Sequence, residues 1–86
     1  MNFGQILEAL KGGKKAARTG WNGQGMYAYL VKAASYPAQT EHARKQFGEL
    51  VPYRAYFALK TAQNDVACWT PNTSDILAED WQILEN

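Results

Sequence analysis

The chain has 86 residues, 47% of them apolar and 13% aromatic, and nine Lys and Arg against eight Asp and Glu leave a formal charge of +1. That length fits one domain over residues 1–86, which buries about 60 to 65% of its unfolded surface, and cores this small are commonly completed by further copies of the chain. Near-neutrality excludes a general attraction to duplex nucleic acid or an anionic membrane, and the single cysteine, Cys68, excludes a disulfide framework or a Cys-based metal site and fits a reducing compartment.

Asn2 followed by Gln5 matches a capping box, and Phe3, Ile6, Leu7 and Leu10 form one helical stripe, which predicts a helix from about Asn2 to Lys11. Gly12-Gly13 supplies its left-handed cap. No basic segment is followed by a long apolar one, so neither a signal peptide nor a membrane span is expected, and a cytosolic location follows. A short strand then runs from Lys15 to Trp21. Asn22-Gly23 predicts a two-residue hairpin turn of the primed type, with positive φ at both positions and Trp21 at its tip. Alternation places Arg18 on the face opposite Trp21. The return strand, Met26 to about Lys32, puts Met26, Ala28 and Leu30 on one face and Tyr27, Tyr29 and Val31 on the other; neither is polar, so the strand is expected to be covered on both sides.

Residues 33–52 read as a variable connection: Pro37 breaks it, Thr40 caps a short helix through Phe47 that ends at Gly48, and Pro52 stops what precedes it. His42, beside Glu41 and Arg44, reads as an exposed helical residue and not as a catalytic base. Tyr53 to Ala62 and Val66 to Thr70 form a second hairpin around Gln63-Asn64-Asp65. Ser74 or Asp75 caps a helical turn through Ile76, Leu77 and Ala78, and Asp80 to Leu84 returns as the last strand. The fold class is therefore α+β: an N-terminal helix packed on an antiparallel sheet of about five strands, with short helical segments in the connections.

Catalysis needs convergent acid, base, nucleophile or metal groups, and the sequence assembles none: there is no Cys with His, no HExxH and no phosphate-binding glycine loop. No enzyme, cofactor or metal is expected. Asp75, Glu79 and Asp80 cluster near one turn and read as caps and dipole partners. Three Trp, five Tyr and three Phe exceed what so small a core requires. Trp21 and Trp69 both stand where strands run into loops, which is where binding residues concentrate. Asn22, Asn72, Thr73 and Asp75 beside them can exchange hydrogen bonds with a base edge or a ribose, while a Trp ring stacks a base for about 1–3 kcal/mol. Met26, closing the glycine-rich stretch after Trp21, joins the candidate set. Trp21 is equally readable as a cap on the core, and Trp81, framed by Leu77 and Ile83, reads as core.

With these residues laid out, the chain resembles the phage Thoeris anti-defence protein two family. The resemblance runs over nearly the whole length: Asn2-Phe3-Gly4 and the helix to Leu10, Gly13 to Arg18, Gly20 to Gly23, Gly25-Met26 and the strand to Leu30, Pro52-Tyr53, Lys60 to Ala62, Trp69 to Pro71, and Thr73 to Trp81. It departs at Ala16, where a larger β-branched residue is expected, and over 33–50, which puts ligand choice in doubt. The resemblance implies a sponge without enzymatic activity. Such a protein binds cyclic ADP-ribose-like signals of the glycocyclic type, in some members cyclic dinucleotides too, and acts in the cytoplasm of the infected host as a homotetramer with pockets shared between subunits. Nanomolar retention requires about −12 kcal/mol, of which one stacked base gives a quarter at best, so enclosure between copies fits the magnitude. Arg18 and Arg54 are the candidates for the ligand's pyrophosphate, each also readable as a solvated sheet residue. Two other classes fit the aromatic surface: a single-strand nucleic-acid binder, which the charge balance disfavours, and a host-protein-binding module.

Overall fold

In the computed structural model, which describes residues 1–85, the Asn2 side chain accepts from the Gln5 N–H and the Gln5 side chain accepts from the Asn2 N–H, both at 2.9 Å. Helix α1 (Phe3–Lys11) starts on this reciprocal cap. It ends as its glycines dictate: Gly13 N–H donates to Leu10 O and Lys14 N–H to Ala9 O, each at 3.0 Å, with Gly13 at φ +94°. The Met1 amino group donates to the carbonyls of Glu79 and Trp81, and Trp81 N–H donates back to Met1 O, so the start of α1 is tied to the last strand.

The remaining elements are β1 (Lys15–Arg18), β2 (Tyr27–Val31), β3 (Ala34–Pro37), α2 (Glu41–Phe47), β4 (Leu50–Tyr53), β5 (Tyr56–Lys60), β6 (Val66–Cys68), α3 (Thr73–Leu77) and β7 (Trp81–Leu84). Five strands pair antiparallel in the order β6-β5-β2-β1-β7, so the α+β class and the five-strand count hold. One sheet face meets α1. Ile6, Leu10, Ala16 and Trp81 form the buried cluster there, with Phe3, Trp21, Phe57, Trp69, Ala78 and Ile83 packed around it. Trp81 is 1% exposed, the core residue its apolar frame predicts. The small side chain of Ala16 fits a cluster that already holds that ring.

Four expectations are corrected. Asn22-Gly23 is not a two-residue turn: β1 stops at Arg18, β2 starts at Tyr27, and the positive φ in the loop between them is at Gly25 (+75°). Residues 33–52 are more than a loop with a helix, because β3 and β4 pair with each other as a separate two-stranded sheet. That splits the expected strand at 53–62: Tyr53 belongs to the small sheet and β5 begins only at Tyr56. The cap of α3 is Asn72, not Ser74 or Asp75, and it forms a second capping box with Asp75. The turn at Gln63-Asn64-Asp65 is as expected, with Asn64 at φ +67°.

Strand β2 is covered on one side only. Ala28 is buried in the direction of α1, while Tyr27 and Tyr29, with rings 5.8 Å apart, line an open cleft of about 370 Å³ with Lys14, Lys15 and Leu84. Lys15 Nζ sits 4.5 Å over the Tyr27 ring. The arm β3-α2-β4 packs on itself and, among the described residues, on none of the five main strands. The molecule is accordingly elongated, 44 × 27 × 26 Å with a radius of gyration of 15.1 Å, where a compact chain of this length has about 12 Å.

Removing the Trp81 ring from this packed cluster costs about 3–5 kcal/mol of stability in Trp81→Ala. Chemical denaturation checks this, and a loss below about 1 kcal/mol would place the ring outside the core.

Candidate functional site

Strands β6 and β7 are opposite edges of the sheet, and four strand spacings in a flat sheet would separate them by about 19 Å. Yet Trp69, just past β6, and Trp81, at the start of β7, have ring centroids 6.1 Å apart. The sheet must therefore curl toward its α1 face, and β1 and β2 share a single paired position, Ala16 with Ala28, where the curl is accommodated. Trp21 completes the triangle, edge-on to Trp81 at 5.2 Å and to Trp69 at 6.2 Å. Phe57 flanks Trp69 at 6.1 Å and Phe3 flanks Trp81 at 5.8 Å. Edge-to-face pairs of this kind add about 0.5–1.5 kcal/mol each beyond burial. Trp81 lies at the bottom, whereas Trp21 and Trp69 remain half-buried. Trp21 packs against the core and keeps part of its ring exposed beside the loops.

Asp75 holds this arrangement. It is 6% exposed, and its Oδ1 accepts from Arg18 Nη1 at 3.0 Å and from Trp21 Nε1 at 3.3 Å. Its Oδ2 accepts from the Asn72 N–H at 3.3 Å, its own N–H donates to Asn72 Oδ1 at 2.8 Å, and its carbonyl accepts from Trp81 Nε1 at 2.9 Å. One residue therefore completes the capping box of α3, balances a guanidinium and fixes the orientation of two indoles.

Asp80 is the partner that sequence reasoning missed. Its Oδ1 accepts from Arg18 Nε at 2.8 Å, and its Oδ2 from the Gly20 N–H at 2.8 Å and Thr19 Oγ1 at 3.2 Å. A Cβ at position 20 would lie 2.8 Å from Asp80 Oδ2, so glycine is needed there for close approach, not for a hairpin turn. Hydrogen bonding to Arg18 holds the Asp80 carboxyl below the usual carboxylate range and, with Asp75, raises Arg18. The only sequence signal for the pair is strand register, which sets Arg18 opposite Trp81, one residue from Asp80.

The eight predicted site residues divide accordingly. Trp21, Trp69, Asn72, Asp75 and Arg18 come together at the Trp triangle and its supports. Arg18 shares the Asp75 carboxylate with Trp21 instead of lying on the opposite face, because β1 ends at Arg18 and alternation stops there. Two of its donor groups are committed to carboxylates, which balances the charge proposed for a pyrophosphate. Asp75 has both oxygens turned inward on protein donors, so it supports the site and does not present itself to a ribose. Asn72 spends Oδ1 on its cap. Thr73, the first residue of α3, and Asn22, in the β1–β2 loop, are exposed. Met26 is half-buried and packs on Gly23, where a Cβ would clash with its Sδ. Arg54 is exposed in the link between β4 and β5. No group of three metal-ligating side chains occurs among the described residues, and no described helix is long and apolar enough to cross a membrane.

The chain is similar to known proteins over nearly its whole length. A family model described as a Thoeris anti-defense 2-like domain matches residues 1–84. Over 87 aligned positions the chain is 36% identical to the Thoeris anti-defense 2 protein of Bacillus phage SP01, covering 98% of this chain and 94% of that one.

The Arg18–Asp80 pair carries a pH signature. The Asp80 carboxyl is harder to protonate in the native state than in the unfolded chain, so unfolding takes up a proton in acid. Its stabilisation is complete above the ordinary carboxylate range and lost as pH falls below it. In acid denaturation followed by Trp emission, Asp80→Asn is expected to be less stable than the parent near pH 7, with the difference shrinking below about pH 4. A difference that stays constant from pH 7 to pH 2 would contradict this.

Proposed function

Because the chain belongs to the Thoeris anti-defense 2-like family, we propose that it is a phage anti-defence protein that sequesters a cyclic nucleotide immune signal of the glycocyclic ADP-ribose type, without cleaving it, in the cytoplasm of the infected host. The observation that carries this reading is the half-buried pair Trp21 and Trp69, 6.2 Å apart and edge-on, fixed from below by Trp81 and Asp75 and bordered by the exposed polar residues Asn22 and Thr73. An indole whose N–H is already satisfied and whose orientation is locked loses little freedom when a base stacks on its exposed part, so more of the stacking energy appears as affinity. Asp75 and Asp80, the carboxylates beside the rings, are committed to Arg18 and to N–H donors, which suits a rigid binding wall and leaves neither free as a general base.

The rim of one chain is open, and nanomolar retention asks for about −12 kcal/mol. A homo-oligomer, a tetramer in this reading, closes the ligand between copies and adds contacts that one rim lacks. Cyclic dinucleotides are the second ligand class the proposal admits.

After incubation with glycocyclic ADP-ribose and denaturation of the complex, mass spectrometry is expected to recover the signal intact and in full. A cleaved product that grows with incubation time would overturn the sequestration mechanism. Trp21→Leu is expected to weaken retention by about 5- to 150-fold, the equivalent of a 1–3 kcal/mol stack, while keeping the native circular dichroism. A folded variant that retains the signal like the parent would move the site away from Trp21.

A further inference from the structure

Asn22-Gly23 does not form the hairpin turn its sequence predicts, and the pair carries a second chemistry. Of the asparagines only Asn22 precedes a glycine. The other described asparagines are held in place: Asn2 and Asn72 accept through Oδ1 from the N–H of Gln5 and of Asp75, and Asn64 N–H donates to the Thr61 carbonyl within its turn. Asn22 is exposed in the β1–β2 loop. The backbone is pinned just before it, where Gly20 N–H donates to Asp80 Oδ2 at 2.8 Å and Trp21 N–H to the Arg18 carbonyl at 3.2 Å. Among the described residues no hydrogen bond holds the Asn22 carboxamide or the Gly23 N–H. Packing in turn fixes the glycine. A Cβ at position 23 would clash with Met26 Sδ and lie 2.9 Å from the Ala62 Cβ; the Met26 chain can rotate away, but the Ala62 Cβ moves only with its backbone. The residue after Asn22 therefore has no side chain to hinder its nitrogen from reaching the carboxamide.

We propose that Asn22 is a site of self-modification, at which the loop converts its own amide to an acid. The Gly23 backbone nitrogen gives its proton to a solvent base and attacks Asn22 Cγ, a C–N bond closes a succinimide ring, and the carboxamide nitrogen leaves as ammonia with a proton taken back from solvent. Water then opens the ring at one carbonyl or the other, which leaves an aspartate or an isoaspartate at position 22. Nothing is oxidised or reduced, and water is the only co-reactant. Either product adds a negative charge next to Trp21, at an end of the molecule where Asp75 and Asp80 already set two carboxylates against the single guanidinium of Arg18. The isoaspartate also routes the main chain through the side-chain carbons and so lengthens the loop that carries Trp21. The consequence rests on the reading of the ligand as a cyclic nucleotide: like charge repels its phosphates, and retention falls as the loop converts.

Ageing the intact, folded chain in mildly alkaline buffer and mapping its tryptic peptide 19–32 by mass spectrometry tests the covalent step. Fragment ions are expected to place the mass gain of amide-to-acid exchange on Asn22, and labelling by an isoaspartyl methyltransferase to detect the isoaspartate, while Asn2, Asn64 and Asn72 convert at no more than about one tenth of that rate. Conversion that needs denaturant, or that is no faster at Asn22 than at Asn64, would overturn the proposal. The consequence is read separately, by equilibrium dialysis of glycocyclic ADP-ribose against fresh and aged chain. Aged parent is expected to bind about tenfold more weakly than fresh parent, and Asn22→Gln, whose longer side chain closes the ring slowly, to keep its own starting affinity through the same ageing. A parent that converts and binds as before overturns the loss of retention, as does an equal decline in parent and Asn22→Gln. A fresh chain that binds no glycocyclic ADP-ribose overturns the sequestration reading instead, and the peptide map still decides the modification.

Discussion

The carboxylate of Asp75 is the joint on which the Trp-rich end of this molecule depends. A charge that is 6% exposed persists only if it is paired and fully hydrogen-bonded, because an unpaired buried charge is far costlier than a lost contact. Arg18 supplies the counter-charge, and the Asn72 N–H and the Trp21 indole take further lone pairs. Each of these partners comes from a different part of the chain: the end of β1, the β1–β2 loop and the approach to α3. Satisfying one carboxylate thus closes three segments onto one another, and the Asp75 carbonyl adds the start of β7 through Trp81. Asp80 repeats the device one layer out, drawing Arg18, Thr19 and Gly20 together.

Curling of the sheet gives that joint its geometry. Bringing Trp69 and Trp81 from opposite edges to within 6.1 Å concentrates the aromatic surface on the α1 face and leaves the reverse face to Tyr27, Tyr29, Tyr56 and Val66. The two faces then differ in kind. On one, the Trp21 and Trp81 indoles are held by hydrogen bonds to Asp75 and bordered by polar loops. On the other and on the arm, tyrosines and aliphatic groups line open clefts.

How much of this was legible in the sequence follows from how local each signal is. Asn2 with Gln5, Gly12-Gly13 and Gln63-Asn64-Asp65 act over a few residues, and each performs the role its pattern predicts; the apolar frame of Trp81 likewise marks it as core. Asn22-Gly23 misled because the hairpin signal assumes that strands continue up to the turn. Here Asp80, 60 positions away, captures the Gly20 N–H, and Met26 and the distant Ala62 fill the space above Gly23. Strands β3 and β4 were hidden by Pro37 and Pro52. These read as breakers but are tolerated because each strand of a two-stranded sheet is an edge. The Arg18–Asp80 pair spans 62 positions, a separation at which composition and periodicity carry no information. The family was readable; which candidate side chains the fold itself commits was not, since Asp75, Asn72 and Arg18 have the chemistry of binding residues and are spent on holding segments together.

Titration of the intact chain with glycocyclic ADP-ribose, followed by intrinsic Trp emission, tests the proposed function most directly: that the half-buried rings of Trp21, held by Asp75, and Trp69 receive the base of a cyclic nucleotide. The account predicts a saturable change in emission that disappears in Trp21→Leu, where Trp69 and Trp81 still report the folded state. Emission that stays flat at concentrations where filtration shows the signal retained would contradict it, because the ligand would then be held away from all three rings.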